Sequence, residues 1–298
     1  MIRIPSSKCI YSMNSRNPAA AEVDPGETVI FETKDCFSNQ IQTEKDLFAS
    51  VGWATINPAT GPLKVRGAEP GDVLAVKILD IRIAEEGSMV AVPNVGALGH
   101  HITQSQTKIV PILNGRAIFS DKIKLPISPM IGVIGTSPAT ENIPNGTPGT
   151  HGGNMDTKRI TKGATLYLPV FVEGAGLAVG DLHAVMADGE VVICGVEVPG
   201  EVTLQVNLVK GRKLSSPILE DKSSFYCIAS AEDLDKAAAD VLEYTMEFLK
   251  QHLPLPVNEI AMLMSTTCNL QVSQIVDPLK TVRMEIPKEA FETYRLRF

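Results

Sequence analysis

The chain has 298 residues, 44% of them hydrophobic, and a formal net charge of -7, so it can bury a large core, and its acidic balance weighs against a nucleic-acid partner, which needs a basic face. No apolar run approaches the roughly 18 residues of a membrane span, and the first residues lack a signal-peptide pattern. Five scattered cysteines without a C-x-x-C pair fit buried thiols in a reducing compartment, so the expectation is a cytoplasmic protein with no membrane attachment.

In chain order, Asp24-Pro25-Gly26-Glu27 is a turn signal, and Thr28 to Thr33 alternates around Val29 and Phe31 like a half-buried strand that ends near Asp35. Residues 42 to 70 are broken by Asn57-Pro58 and Gly61-Pro62 and carry the single tryptophan, Trp53; this piece reads as a lid, a dimer arm or a plain surface connection. Asp72 to Ile83 is too continuously apolar for a one-faced strand and reads as central, covered on both sides. Residues 84 to 105 read as a glycine-bearing excursion that ends in Gly99-His100-His101, and Asn114-Gly115 between two apolar runs predicts a hairpin. The stretch Met130 to Pro138, with its spaced glycines, predicts close backbone approach in a core or beside a ligand.

Leu166 to Val172, Val191 to Val198 and Glu201 to Leu208 read as further strands, the last with one apolar face. Helices come late. Ser230-Ala231-Glu232-Asp233 resembles a capping box ahead of a helical pattern that stops before Leu253-Pro254, and Asn258 reads as the N-cap of a second helix. A short strand, Val282 to Pro287, follows. The predicted class is α+β: β-rich, sandwich-like sheets with two or so helices near the C-terminus, at about residues 230–270. The whole of 1–298 reads as a single domain, or as two interleaved β-rich subdomains.

The chemistry concentrates between Gly146 and Glu190. Asp181 and His183 share a face if they lie on one strand and together offer a carboxylate oxygen and an imidazole nitrogen to a cation such as zinc. Glu190 follows the tight-turn pair Asp188-Gly189, which can return it over Asp181 and His183 as a general base. Asp35 and one of His100, His101 or His151 can complete a ligand set. The glycine-rich loop before Asp156 lacks the lysine-serine ending of a phosphate loop; it reads either as a plain turn or as a loop passing close to a small ligand, held by Asn154 and Asp156. No nucleophile elbow is present, and Cys36 beside Asp35 would have its thiol pKa raised, so an activated water is the better nucleophile.

Gly152 to Lys158, Leu168-Pro169-Val170, Gly180-Asp181-Leu182-His183 and Asp188-Gly189-Glu190, with Asp35, Gln40-Ile41 and Ile131 to Gly135 upstream, resemble the acetamidase/formamidase family in order and spacing. The resemblance covers roughly residues 25 to 210, and the C-terminal third adds little to it. It implies a β-rich fold, a homodimer or larger homo-oligomer, and hydrolysis of small linear amides such as formamide or acetamide to carboxylate and ammonia, with a divalent metal in some members. It makes Asp35, Asp181 and His183 the metal candidates, with zinc ahead of calcium; Glu190 and Asp156 the catalytic pair; and Asn154, Gly153 and His101 the residues around the substrate. The chain departs from larger members at Ser128-Pro129-Met130 and at Met186-Ala187, which opens the alternatives of a lactam or another small amide. A non-catalytic β-sandwich that binds metal or a small ligand is the rival from another class.

Overall fold

Alternation organises the first sheet. In Thr28–Thr33 the side chains of Val29, Phe31 and Thr33 are buried, and those between them only partly so, the period of two expected where one face of a strand meets a core. Gly200–Val209 repeats this with Val202, Leu204 and Val206 and pairs antiparallel with Thr28–Thr33 on one side and Val73–Ile83 on the other. The computed structural model describes all 298 residues. Its nine-stranded sheet runs from Ile2–Ile4 through Thr28–Thr33, Gly200–Val209, Val73–Ile83, Thr165–Pro169, Ile218–Glu220, Ser224–Ala231 and Lys280–Pro287 to Asn269–Gln274.

A second, eleven-stranded sheet is built around Met130–Gly135 and Leu177–His183, which pair antiparallel. Every residue of both strands is buried. Between the sheets, Phe31, Leu74, Val76 and Leu204 from the first meet Ile131, Ile134, Val179 and Leu182 from the second. At roughly 1.5–3 kcal/mol for each large apolar side chain removed from water, this interface supplies the free energy against which a charged centre can be buried nearby.

Three α-helices are present: α1 (Phe48–Val51), α2 (Leu234–Lys250) and α3 (Val257–Thr267). α2 lays Ala237, Val241, Phe248 and Leu249 on Phe225, Cys227, Val282 and Met284, forming a second core on the other face of the nine-stranded sheet. Val73–Ile83 is central as expected: Leu74, Val76 and Ile78 face the inter-sheet core, whereas Val73 faces the helical one.

Several local expectations differ from the structure. Ser230 and Ala231 are still part of the strand Ser224–Ala231, and the N-cap of α2 is Asp233, whose Oδ1 accepts from the Lys236 backbone N–H at 2.8 Å. α3 starts after Pro256, which leaves Asn258 inside its first turn. The supposed excursion contains a strand, Glu86–Ala91, paired with Gln106–Leu113. Its Gly87 looks like a breaker in sequence, but a Cβ there would lie 2.6 Å from the Glu197 carbonyl oxygen, so the glycine permits strand contact. Of Val191 to Val198 only Glu197–Val198 is strand. The Asn114-Gly115 hairpin forms, with φ of 50° and 72°, the left-handed pair that a two-residue turn needs.

Replacing Asp233 by alanine removes the only side-chain cap of α2. The expected loss is about 1 kcal/mol, read from the urea midpoint at unchanged slope.

Candidate active site

The site is built on Leu177–His183 and the strand beside it. Met130 pairs with His183 and Val133 with Gly180. Between these, Gly132 leaves the floor without a side chain: a Cβ there would lie 2.5 Å from Asp156 Oδ1 and 2.7 Å from Asp181 Oδ2. Gly195 does the same behind His183, where a Cβ would come within 2.8 Å of the ring. Asp156, Asp181 and Glu190 all hold left-handed backbone, with φ of 39°, 55° and 49°. Such conformations are uncommon outside glycine, cost on the order of 1–3 kcal/mol each, and cluster at functional sites. Asp181 and His183 therefore converge through a kinked residue rather than through plain strand alternation.

His183 Nε2 lies 3.0 Å from Glu197 Oε1, 3.5 Å from Asp181 Oδ1, 3.8 Å from Asp156 Oδ1 and 3.9 Å from Glu190 Oε1, and all five side chains are buried. Despite this closeness, both imidazole nitrogens, both Asp156 oxygens, Asp181 Oδ1, Glu190 Oε2 and Glu197 Oε2 lack a properly directed hydrogen bond. Buried polar atoms are nearly always partnered, so a set of unpartnered oxygens and nitrogens converging on one space is a donor set that suits a cation. Two trios have ligand atoms within 4.8 Å of one another: Asp156, His183 and Glu190, and Cys36, Asp181 and Glu197.

Electrostatics agree. Burial first, and then the Asp181 charge, raise the Asp156 carboxyl to about 7. Burial likewise raises Glu197 to about 8, and burial together with the Asp156 charge lifts Glu190 well above the usual carboxylate range. For His183, burial alone would lower the pKa, but the Glu197 and Asp181 charges outweigh it and raise the value well above normal. Burial also pushes the Cys36 thiol well up, with help from Glu197 and Asp181. Without a cation, these groups hold protons to limit their mutual repulsion.

Over the centre lies a cavity of about 560 Å³, lined on its polar side by Cys36, Asn154, Asp181, Glu190, Glu197 and Asp277. Asn154 Nδ2 donates to Asp277 Oδ2 at 2.9 Å, while its Oδ1 is unpartnered. The C-terminal strands hold the Glu190 turn. Arg283, 1% exposed, donates from both terminal nitrogens to Asp188, at 2.9 and 2.8 Å, and the Gly189 N–H donates to the Ser273 carbonyl at 2.8 Å.

The structure brings together Asp181, His183, Glu190, Asp156 and Asn154, and leaves other candidates aside. Asp35 is buried but turned into its own loop, where Oδ1 accepts from the Asn39 N–H at 2.6 Å; burial raises it to about 6. It does not line the cavity, whereas its neighbour Cys36 does. His101 is exposed, its ring 4.0 Å from that of His100, and it lies away from the lining. His151 is buried beneath the glycine loop and lowered to about 4 by desolvation, 3.0 Å from where a Gly153 Cβ would stand. Gly153 itself serves the turn: at φ 79°, a Cβ would also strike the Thr147 carbonyl. Residues 42 to 70 supply Phe48, Trp53 and Ile56 to the cavity wall.

Sequence reasoning missed Cys36 as a candidate ligand, and Glu197 and Asp277 as lining residues. Glu197 had a usable signal, an acid between the buried Val196 and Val198. Asp277 had none, and it shows that the C-terminal third, which adds little to the resemblance, supplies a residue to the cavity.

Fold and site define a two-sheet β protein whose buried carboxylate–histidine centre opens on a half-apolar cavity. The chain belongs to the acetamidase/formamidase family, whose pattern matches residues 14–145 and 139–293. It is similar to the crystal structure of an acetamidase from Bacillus halodurans, with a TM-score of 0.96 and 48% identity over 98% of this chain and 99% of that one. A crystal structure described as a predicted acetamidase/formamidase from Thermoanaerobacter tengcongensis gives a TM-score of 0.97 and 46% identity over 100% and 99%. An acetamidase from Mycolicibacterium smegmatis is 30% identical over 65% of this chain and 64% of its own length. The chain spans 62–64% of the length of the curated relatives it matches. No helix is long and apolar enough to cross a membrane.

The raised carboxyls set a pH dependence. Asp156 and Glu197 bind protons more tightly folded than unfolded, so their contribution to stability is complete below their ordinary values near 4 and is lost as pH rises through about 7 to 8. With a chelator present, the melting temperature should fall between pH 6 and pH 8.5, and a divalent cation should flatten that slope. Differential scanning fluorimetry across this range checks both.

Proposed function

We propose that the protein hydrolyses the C–N bond of small amides such as formamide or acetamide, giving a carboxylate and ammonia. The carrying observation is the set of unpartnered, buried ligand atoms beside the cavity. Cys36, Asp181 and Glu197 have the spacing to hold a divalent cation, His183 Nε2 lies 3.0 Å from Glu197 Oε1 and 3.5 Å from Asp181 Oδ1, and the nitrogen and sulfur donors would favour zinc over calcium. A cation held there would supply Lewis-acid chemistry, polarising an amide carbonyl and activating a water as nucleophile.

The chain's own groups do the rest. Glu190 faces the cavity with Oε2 free, takes a proton from the attacking water and returns it to the leaving nitrogen. Asp156 beneath it, and Asp277 at the cavity edge, raise its proton affinity. The Asn154 amide spends one of its two N–H groups on Asp277, and its unpartnered Oδ1 can accept from the substrate N–H. The Asp156, His183 and Glu190 trio also meets ligand spacing, which gives a second reading with Glu190 as a metal ligand.

Two measurements decide. Ammonia release from formamide, acetamide and a lactam should be abolished by exhaustive chelation and restored by zinc. Full activity after chelation excludes a cation role, and bound metal without ammonia from any amide leaves a binding protein. Glu190→Gln should cost about 10²–10⁴ in turnover at unchanged metal content by atomic emission. Metal loss in this variant makes Glu190 a ligand instead.

A further inference from the structure

The cavity is larger than the proposed reaction needs. Acetamide has four heavy atoms and displaces on the order of three waters, about 90 Å³ at a water's share of ~30 Å³. The cavity measures about 560 Å³, within the usual span of sites that enclose larger organic ligands. Beyond the carboxylates, one wall of this surplus chamber is apolar, formed by Phe37, Phe48, Trp53, Val92 and Ile193, while Asn57, Asn94, Asn145 and Thr147 line other parts of it.

The wall is ordered by its own packing. Phe37 and Phe48 meet edge to face at 6.1 Å, and Phe48 and Trp53 at 4.8 Å. Trp53 is 59% exposed at the rim. Ile193 holds φ at 94°, an outlier for a β-branched residue, and its N–H donates to the Glu190 carbonyl at 2.9 Å. The strained apolar wall and the proton-moving carboxylate are thus tied into one turn. Charge narrows the ligand further: no lysine, arginine or histidine lines the cavity, whereas Asp181, Glu190, Glu197 and Asp277 do. Nothing there can pair with an anionic group at the far end of a substrate.

Resting on the amide-hydrolase reading, we infer that the preferred substrate is a neutral primary amide with an apolar chain about as long as that of hexanamide. Its carbonyl sits at the carboxylate–histidine centre and its hydrocarbon lies against Phe48, Trp53 and Ile193. Water adds to the carbonyl, the C–N bond breaks, and the nitrogen leaves as ammonia; no further reactant is needed. Amides that also carry a free carboxylate are excluded by the missing cationic partner.

The test uses the single tryptophan as a binding reporter. In Glu190→Gln, titrations of Trp53 emission with acetamide, butanamide and hexanamide should show affinity rising about fourfold per methylene. In the unsubstituted protein, kcat/KM for ammonia release should rise in parallel, and adipamate should be at least tenfold worse than hexanamide. Val92→Phe, which fills the chamber, should reduce kcat/KM for hexanamide at least tenfold more than for acetamide. A flat or falling series, with acetamide the best substrate, overturns the inference and leaves amide hydrolysis standing. Length-dependent binding with no ammonia from any amide overturns both, since the chamber would then hold an apolar ligand that is not a substrate. Efficient adipamate turnover overturns the charge argument and the substrate class with it.

Discussion

Everything in this molecule turns on keeping four buried carboxylates, Asp156, Asp181, Glu190 and Glu197, around one imidazole. A desolvated cluster of that sign is unfavourable unless protons or cations neutralise it, and raised proton affinities show the first of these responses. The surrounding architecture reads as what such a cluster requires. Two sheets bury an apolar interface large enough to offset it. Glycines at 132 and 195 let backbone pass where a side chain would collide with the ligands. Left-handed backbone at three of the four acids aims their oxygens at a common space.

The two halves of the chain divide the work. The inter-sheet core fixes Asp181 and His183 on a fully buried strand, with the precision that close packing provides. The turn carrying Glu190 lies outside that strand, and its geometry comes from the C-terminal strands, through Arg283 on Asp188 and Ser273 on Gly189. The buried Arg283 guanidinium matches the Asp188 carboxylate with two bonds, which specifies orientation more strictly than a single contact would. The same region sends Asp277 to the cavity, so the site is complete only when the last strands have docked.

This division explains what was legible in sequence. The alternating strands, the Asn114-Gly115 turn and the late helices could be read because their signals are local. So could Asp181, His183 and Glu190, which lie within ten residues and arrive together. Cys36 and Asp277 could not, because nothing local marks a side chain whose partners come from other strands, and for Glu197 the only local mark is its place between two apolar residues. Asp35 shows the opposite error. An acid at a strand end looks like a ligand, yet here it caps its own turn through Asn39, the commoner use of that residue type, and the thiol one position on faces the site. His100 and His101 mislead similarly: residue type suggested a ligand, and exposure on a one-turn helix removes them.

The two glutamates of the centre show how environment separates roles for identical side chains. Both are buried, and both have raised proton affinity. Glu197 is held on two sides: Oε1 accepts from the Gly195 N–H at 2.9 Å and lies 3.0 Å from His183 Nε2. A carboxylate fixed in this way suits a static task, since moving a proton would disturb both neighbours. Glu190 sits on a turn, its nearest approach to His183 is 3.9 Å, and one oxygen is free beside the cavity. Burial first, and then the charges of Asp156 and Asp277, raise its appetite for a proton. The proposed division, with Glu197 holding and Glu190 exchanging, rests on one backbone amide and on which strand each glutamate follows.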